Sequence, residues 1–286
     1  MKSLFNKRDI LVLLAGLAII QVLACVFINR FMFHPVKGQY SNKFPGYVDI
    51  GTNGVRIAAI VLGPSHGKSA IIYCHGNAED ATSLKYRFSD LAAAGYTVAA
   101  VDYPGYGLSD GNPDEAGCYN VAHRLYDWLM QERGFDANEI FVVGFSIGTG
   151  VAVELAASSP VAGLWLEAPY LSAPRIVTRK RILAIDPFPS CSRIADIKCP
   201  LLVMHGTNDR IIPFSQGKAL FDLAREPKTF VPVHYAGHND LIDIFGFENY
   251  SDMLLSFISN IAIPFNQSRR GAKRQRSRRP NGKGHE

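Results

Sequence analysis

Glu139-Ile140-Phe141-Val142-Val143-Gly144-Phe145-Ser146-Ile147-Gly148, running on into Thr149-Gly150-Val151-Ala152-Val153-Glu154-Leu155-Ala156-Ala157, is the stretch that decides the fold. An apolar run of strand character meets a short turn with glycine at both ends, and a small-residue helical pattern follows. Strand, sharp turn, helix is an arrangement in which a serine becomes a nucleophile. The bend needs small flanking residues, and the helix behind it points backbone N–H groups at the reacting centre.

Outward from this stretch the pattern repeats. Tyr47–Thr52 and Val55–Leu62 read as two strands joined by Asn53-Gly54, a strong hairpin signal. Ser69–Cys74, Thr97–Val101, Ile140–Val143, Val161–Leu166, Leu201–Met204 and Thr229–Val233 read as strands. Helical patterns fall at Ser83–Ala94, Asp114–Arg133, Ile147–Ser158, Phe214–Ala224 and Glu248–Ile261. Strands that alternate with helices call for a mostly parallel sheet covered on both faces, an α/β fold. Residues 169–200 do not alternate and are expected to form a small cap over the strand ends. Residues 47–262 are thus one domain, reached through an aromatic-rich connector at 29–46.

A serine hydroxyl needs a base, and the base needs an orienting group. The run Leu201-Leu202-Val203-Met204-His205-Gly206-Thr207-Asn208-Asp209 ends a strand and puts Asp209 in the next loop. Tyr235-Ala236-Gly237-His238-Asn239-Asp240 follows the last strand and puts His238 in a loop. Ser146, Asp209 and His238 therefore each lie just past the carboxyl end of a strand, the edge where open α/β sheets bind ligands. Tyr73-Cys74-His75-Gly76-Asn77-Ala78 ends a further strand there. The backbone N–H groups of Asn77 and Ile147 are the candidates for an oxyanion hole. Glu167 is the rival to Asp209, and His75, His205 and His234 are the rivals to His238; His75 and His205 abut glycines at strand ends and read as structural. Asp102 reads as a pin for the Tyr103–Ser109 loop.

These pieces, with Phe33-His34-Pro35 and Asp102-Tyr103-Pro104-Gly105-Tyr106-Gly107-Leu108-Ser109, make the chain similar to the α/β-hydrolase superfamily over residues 30 to about 262. It looks most like the membrane-anchored Bem46-like branch and shares motifs with serine aminopeptidase relatives. Pro104 is a departure from that pattern. The resemblance implies an α/β-hydrolase fold and hydrolysis of an ester or thioester with an acyl chain, through an acyl-enzyme on Ser146. It implies no metal and no organic cofactor. A peptidase using the same triad and a non-catalytic scaffold are the other functions that the resemblance leaves open.

Composition sets the surroundings. The chain has 286 residues, 48% hydrophobic and 19% charged, enough for a large core. Its net charge of +5 resides in residues 266–286, which hold eight Lys and Arg and one acid; the remainder is close to neutral. The basic stretch 263–286 reads as a disordered tail that lies on an anionic bilayer or only solubilises, and nucleic acid is not an expected partner. The five cysteines form no C-x-x-C pair and no zinc-like spacing.

Ile10 to Ile28 is an apolar run broken strongly only by Gln21. At 1.5 Å per residue it extends about 28 Å, close to the roughly 30 Å of a hydrocarbon core. Lys2, Lys7 and Arg8 precede it, so residues 1–9 are expected inside and the domain on the non-cytoplasmic side. A signal anchor is the leading reading, ahead of a cleaved signal peptide and of a lipoprotein signal around Cys25. Arg175, Arg179, Lys180 and Arg181 read either as headgroup contacts or as a solvated face.

Overall fold

A computed structural model describes residues 32–178 and 186–276, with backbone alone over 262–276, and before Met32 only residues 6, 8, 9, 11–16, 19 and 22. The predicted span 10–28 and Cys25 thus fall largely outside the described residues, as do Arg179, Lys180 and Arg181. Among the described residues no helix is long and apolar enough to cross a membrane.

Alternation along the strands sets the architecture. In β3 (Ala70–Cys74), Ala70, Ile72 and Cys74 join one apolar cluster while Ile71 and Tyr73 join another on the opposite face. A strand buried on both faces must be covered on both. Helices α2 (Glu115–Gln131), α3 (Gly148–Ser158) and α6 (Phe214–Leu223) pack on the first face. Helices α1 (Leu84–Ala93), α7 (Leu241–Phe245) and α8 (Phe247–Arg276) pack on the second. The Asp114 carboxylate accepts from the Gly117 amide at 2.6 Å and starts α2.

The sheet has eight strands in the order β1-β2-β4-β3-β5-β6-β7-β8. These are β1 (Tyr47–Asp49), β2 (Ala58–Leu62), β4 (Thr97–Val101), β5 (Ile140–Phe145), β6 (Gly163–Glu167), β7 (Leu201–Gly206) and β8 (Lys228–Val233), besides β3. From β4 to β8 every pairing is parallel; β1 pairs β2 and β2 pairs β4 antiparallel. The hairpin at Asn53-Gly54 is present, with φ of 55° and 78° at its two central residues, but β2 starts only at Ala58. Its Arg56 is drawn off the ladder by Asp110, which takes both its backbone N–H and its guanidinium.

One expectation needs correction. The helix expected to stop at Ile261 continues to Arg276, so the backbone of 262–276 is helical where the sequence reading has a disordered tail. Arg, Lys, Ala and Gln, which dominate 267–276, are good helix formers. The Arg175 guanidinium donates to Asp186 at 2.6 Å. The cap expected over 169–200 contains α4 (Ala173–Thr178) and α5 (Ser190–Arg193).

The connector is bolted to the domain. Phe33 is buried and packs edge-on against Phe188. The Gly107 amide donates to Val36 O at 2.7 Å, and the Tyr40 hydroxyl donates to buried Asp102. Asp102 also accepts from the Ala81 and Leu108 amides, which is the pinning role read for it from the sequence.

Candidate active site

Ser146 sits directly after β5, the centre of the sheet, with φ of +54°. That left-handed backbone costs a non-glycine residue about 1–3 kcal/mol and lifts the side chain clear of the sheet. The turn is held by the Ser146 amide donating to Glu167 O at 3.0 Å and by the Thr149 hydroxyl donating to Ser146 O at 2.6 Å. Gly148 is required by close approach: a Cβ there would lie 2.1 Å from Cys74 O and 2.6 Å from His75 O.

Asp209 and His238 reach Ser146 from the loops after β7 and β8. His238 Nε2 is 2.9 Å from Ser146 Oγ, and His238 Nδ1 is 2.7 Å from Asp209 Oδ2. An ionised carboxylate can only accept, so Nδ1 carries the proton and the Nε2 lone pair faces the serine hydroxyl. The two loops meet because residue 206 is glycine: a Cβ there would lie 2.4 Å from Ala236 O and 2.5 Å from Gly237 O. Asp209 Oδ1 accepts from the Ile211 and Ile212 amides at 2.9 and 2.8 Å. Burial pushes the Asp209 carboxyl up. His205 at 3.4 Å, His238 and the Ile212 amide outweigh that and hold it well below the usual carboxylate range.

The rivals make other contacts. His75 contacts its neighbour's carbonyl, Gly76 O, at 2.9 Å and stacks on Tyr103. His205 Nε2 lies 2.9 Å from Ile212 O, and His234 is exposed. Glu167 is fully buried, accepting from Arg87 Nη1 at 2.8 Å and from the Tyr250 hydroxyl at 2.6 Å. Arg87 lies 4.6 Å over the Phe145 ring, whose other neighbour is the His238 ring at 5.2 Å. Arg87 Nη2 is also 3.7 Å from Glu79, and Glu79 Oε2 accepts from the Gly76 amide at 2.9 Å. This buried cluster supports the site from behind, and no motif announced it.

Asn77 and Ile147, the candidate oxyanion donors, flank Ser146 along the same cleft. Neither amide is used in the turn and loop hydrogen bonds among the described residues. The cleft has a volume of about 620 Å³, within the size range of small-molecule sites. Its walls are Met32 and His34 of the connector, Ile176 and Val177 of α4, and Ile211 and Ile212 beyond β7. Val177 and Ile211 are largely exposed, so the rim itself is apolar.

Residues 69–187 match the family described as "alpha/beta hydrolase fold". The chain is 32% identical over 212 residues to human alpha/beta hydrolase domain-containing protein 17B, covering 73% of each. It is likewise 32% identical over 229 residues to an alpha/beta hydrolase of Acanthamoeba polyphaga mimivirus, covering 76% of this chain and 84% of that one. Among solved structures, an esterase from Exiguobacterium antarcticum superposes with a TM-score of 0.58 at 17% identity, over 76% of this chain and all of the other. A thermophilic esterase from Thermogutta terrifontis does so with a TM-score of 0.62 at 19% identity, over 77% and 96%. At such identities the two structures speak for the fold alone. On its match to the family and its identity to these relatives, the chain belongs to the α/β-hydrolase family.

Proposed function

We propose that this protein is a serine hydrolase that cleaves an ester or thioester bearing an acyl chain. The observation that carries the reading is the chain of contacts from Asp209 through His238 to Ser146 at the floor of an apolar cleft. His238 takes the serine proton as Oγ attacks the acyl carbon, then gives it to the leaving alcohol or thiol. The acyl-enzyme on Ser146 is released by water, activated by the same imidazole. Asp209 keeps the Nδ1–H tautomer and stabilises the imidazolium. The Asn77 and Ile147 amides receive the oxyanion, each such donor contributing about 2.7–4 kcal/mol of barrier lowering.

The apolar walls favour an aliphatic acyl group over a charged one. Residues 10–28 act as a signal anchor in this reading, with the domain on the non-cytoplasmic side. Ile28 precedes the cleft residue Met32 by four positions, so the end of the apolar run and the cleft are at most about 14 Å apart. A substrate whose acyl chain lies in the same bilayer meets the cleft without crossing the aqueous phase.

The test is labelling with a fluorophosphonate probe in membranes. Wild type is expected to label and Ser146→Ala not to label. A folded wild type that takes no label would overturn the reading.

A further inference from the structure

The carboxamide of Asn77 is spent on the connector. Its Nδ2 donates to Met32 O at 2.6 Å, and its Oδ1 accepts from the His34 amide at 2.8 Å and from the Tyr106 hydroxyl at 2.6 Å. The Tyr106 hydroxyl also receives the His34 amide, at 3.1 Å. Three directional bonds on one short side chain leave its Cα little freedom. The backbone N–H of the same residue is a proposed oxyanion donor, and the next residue, Ala78, holds φ of +58°. On its other side the loop is gripped through the Gly76 amide by Glu79. The loop is thus held from two directions, and one of them is the N-terminal connector.

We propose that the Asn77 side chain is a positioning group that latches Met32–His34 to the oxyanion loop, making the connector a working part of the active site. This rests on the acyl-hydrolase reading above. Oxyanion stabilisation depends on a donor already aimed where charge develops, so a loosened donor loses preorganisation that the transition state feels more than the bound substrate does. The latch atoms on the connector are backbone atoms, so the connector's own side chains are not what the oxyanion loop feels.

Two comparisons in the full chain, with p-nitrophenyl butyrate as probe, test this. Asn77→Ala is expected to lower kcat at least tenfold with KM within about threefold of wild type. His34→Pro and His34→Ala both lose the imidazole, but only the proline also loses the N–H that Asn77 accepts from. His34→Pro is expected to lose at least fivefold more kcat than His34→Ala, with the melting temperature of each variant recorded alongside. Lower melting temperatures with kcat retained in Asn77→Ala, or equal kcat in the two His34 variants, would overturn the latch. A wild type with no turnover dependent on Ser146 would instead remove the hydrolase reading, and the latch with it. The His34 pair keeps the question open to decision if Asn77→Ala does not fold.

Discussion

Ser146 shows at one residue what the site costs. Its φ of +54° is a conformation that only glycine adopts freely. Ser146→Ala keeps the strain and removes the hydroxyl, whereas Ser146→Gly removes both. Ser146→Gly is therefore expected to be inactive yet more stable than Ser146→Ala by about 1 kcal/mol, less if glycine's greater unfolded-state entropy offsets the relief. Equal denaturation midpoints for the two would show that the turn stores no strain at this position. Glycine at 148 is the complementary case. There the backbone is ordinary, and the absence of a side chain lets the Cys74 carbonyl pass 2.1 Å from where a Cβ would stand.

Among elements, the buried cluster around Arg87 joins α1, β6 and α8 through Glu167 and Tyr250. Burial pushes the Glu167 carboxyl up, against the pull of Arg87 and the Tyr250 hydroxyl. Removing Glu167 leaves the mostly buried Arg87 guanidinium with Glu79, 3.7 Å away, as its remaining ion-pair partner. Glu167→Ala is expected to cost about 3–5 kcal/mol, read as a lower urea midpoint at unchanged slope. A loss under 1 kcal/mol would mean that Arg87 re-pairs with Glu79. This cluster was not legible in the sequence, because Arg87 and Glu167 are 80 positions apart and neither belongs to a motif. Asn77 was legible for its backbone and not for its side chain, whose partners lie 45 and 29 positions away. Ser146, Asp209 and His238 were legible because each sits in a local pattern of strand, glycine and loop. The alternation of strands and helices was legible for the same reason. The start of β2 was not, since Arg56 leaves the ladder for Asp110, a partner supplied by a distant loop.

For the whole molecule, the Asp209 carboxylate bears on acid stability. Its folded value is depressed, so the stability it contributes is fully present above the unfolded value of about 3.9 and is lost as pH falls toward the folded one. Wild type is expected to be more stable than Asp209→Asn at pH 7, and the gap is expected to narrow below about pH 4. Denaturant titrations at pH 7 and pH 3 measure it; a gap that stays constant would place the carboxylate's partners elsewhere. The same depression means that an acid limb in the rate profile above pH 4 belongs to another group.

The strand order has one more consequence. The Asn77 loop follows β3, Ser146 follows β5, Asp209 follows β7 and His238 follows β8, while α8 must still close over the second face. During synthesis the chain emerges in sequence order, so a growing polypeptide presents the serine long before it presents the imidazole. A nascent chain stopped anywhere before residue 238 holds Ser146 without its imidazole partner, so under the proposed reading the hydroxyl gains its base only when nearly the whole domain has been made.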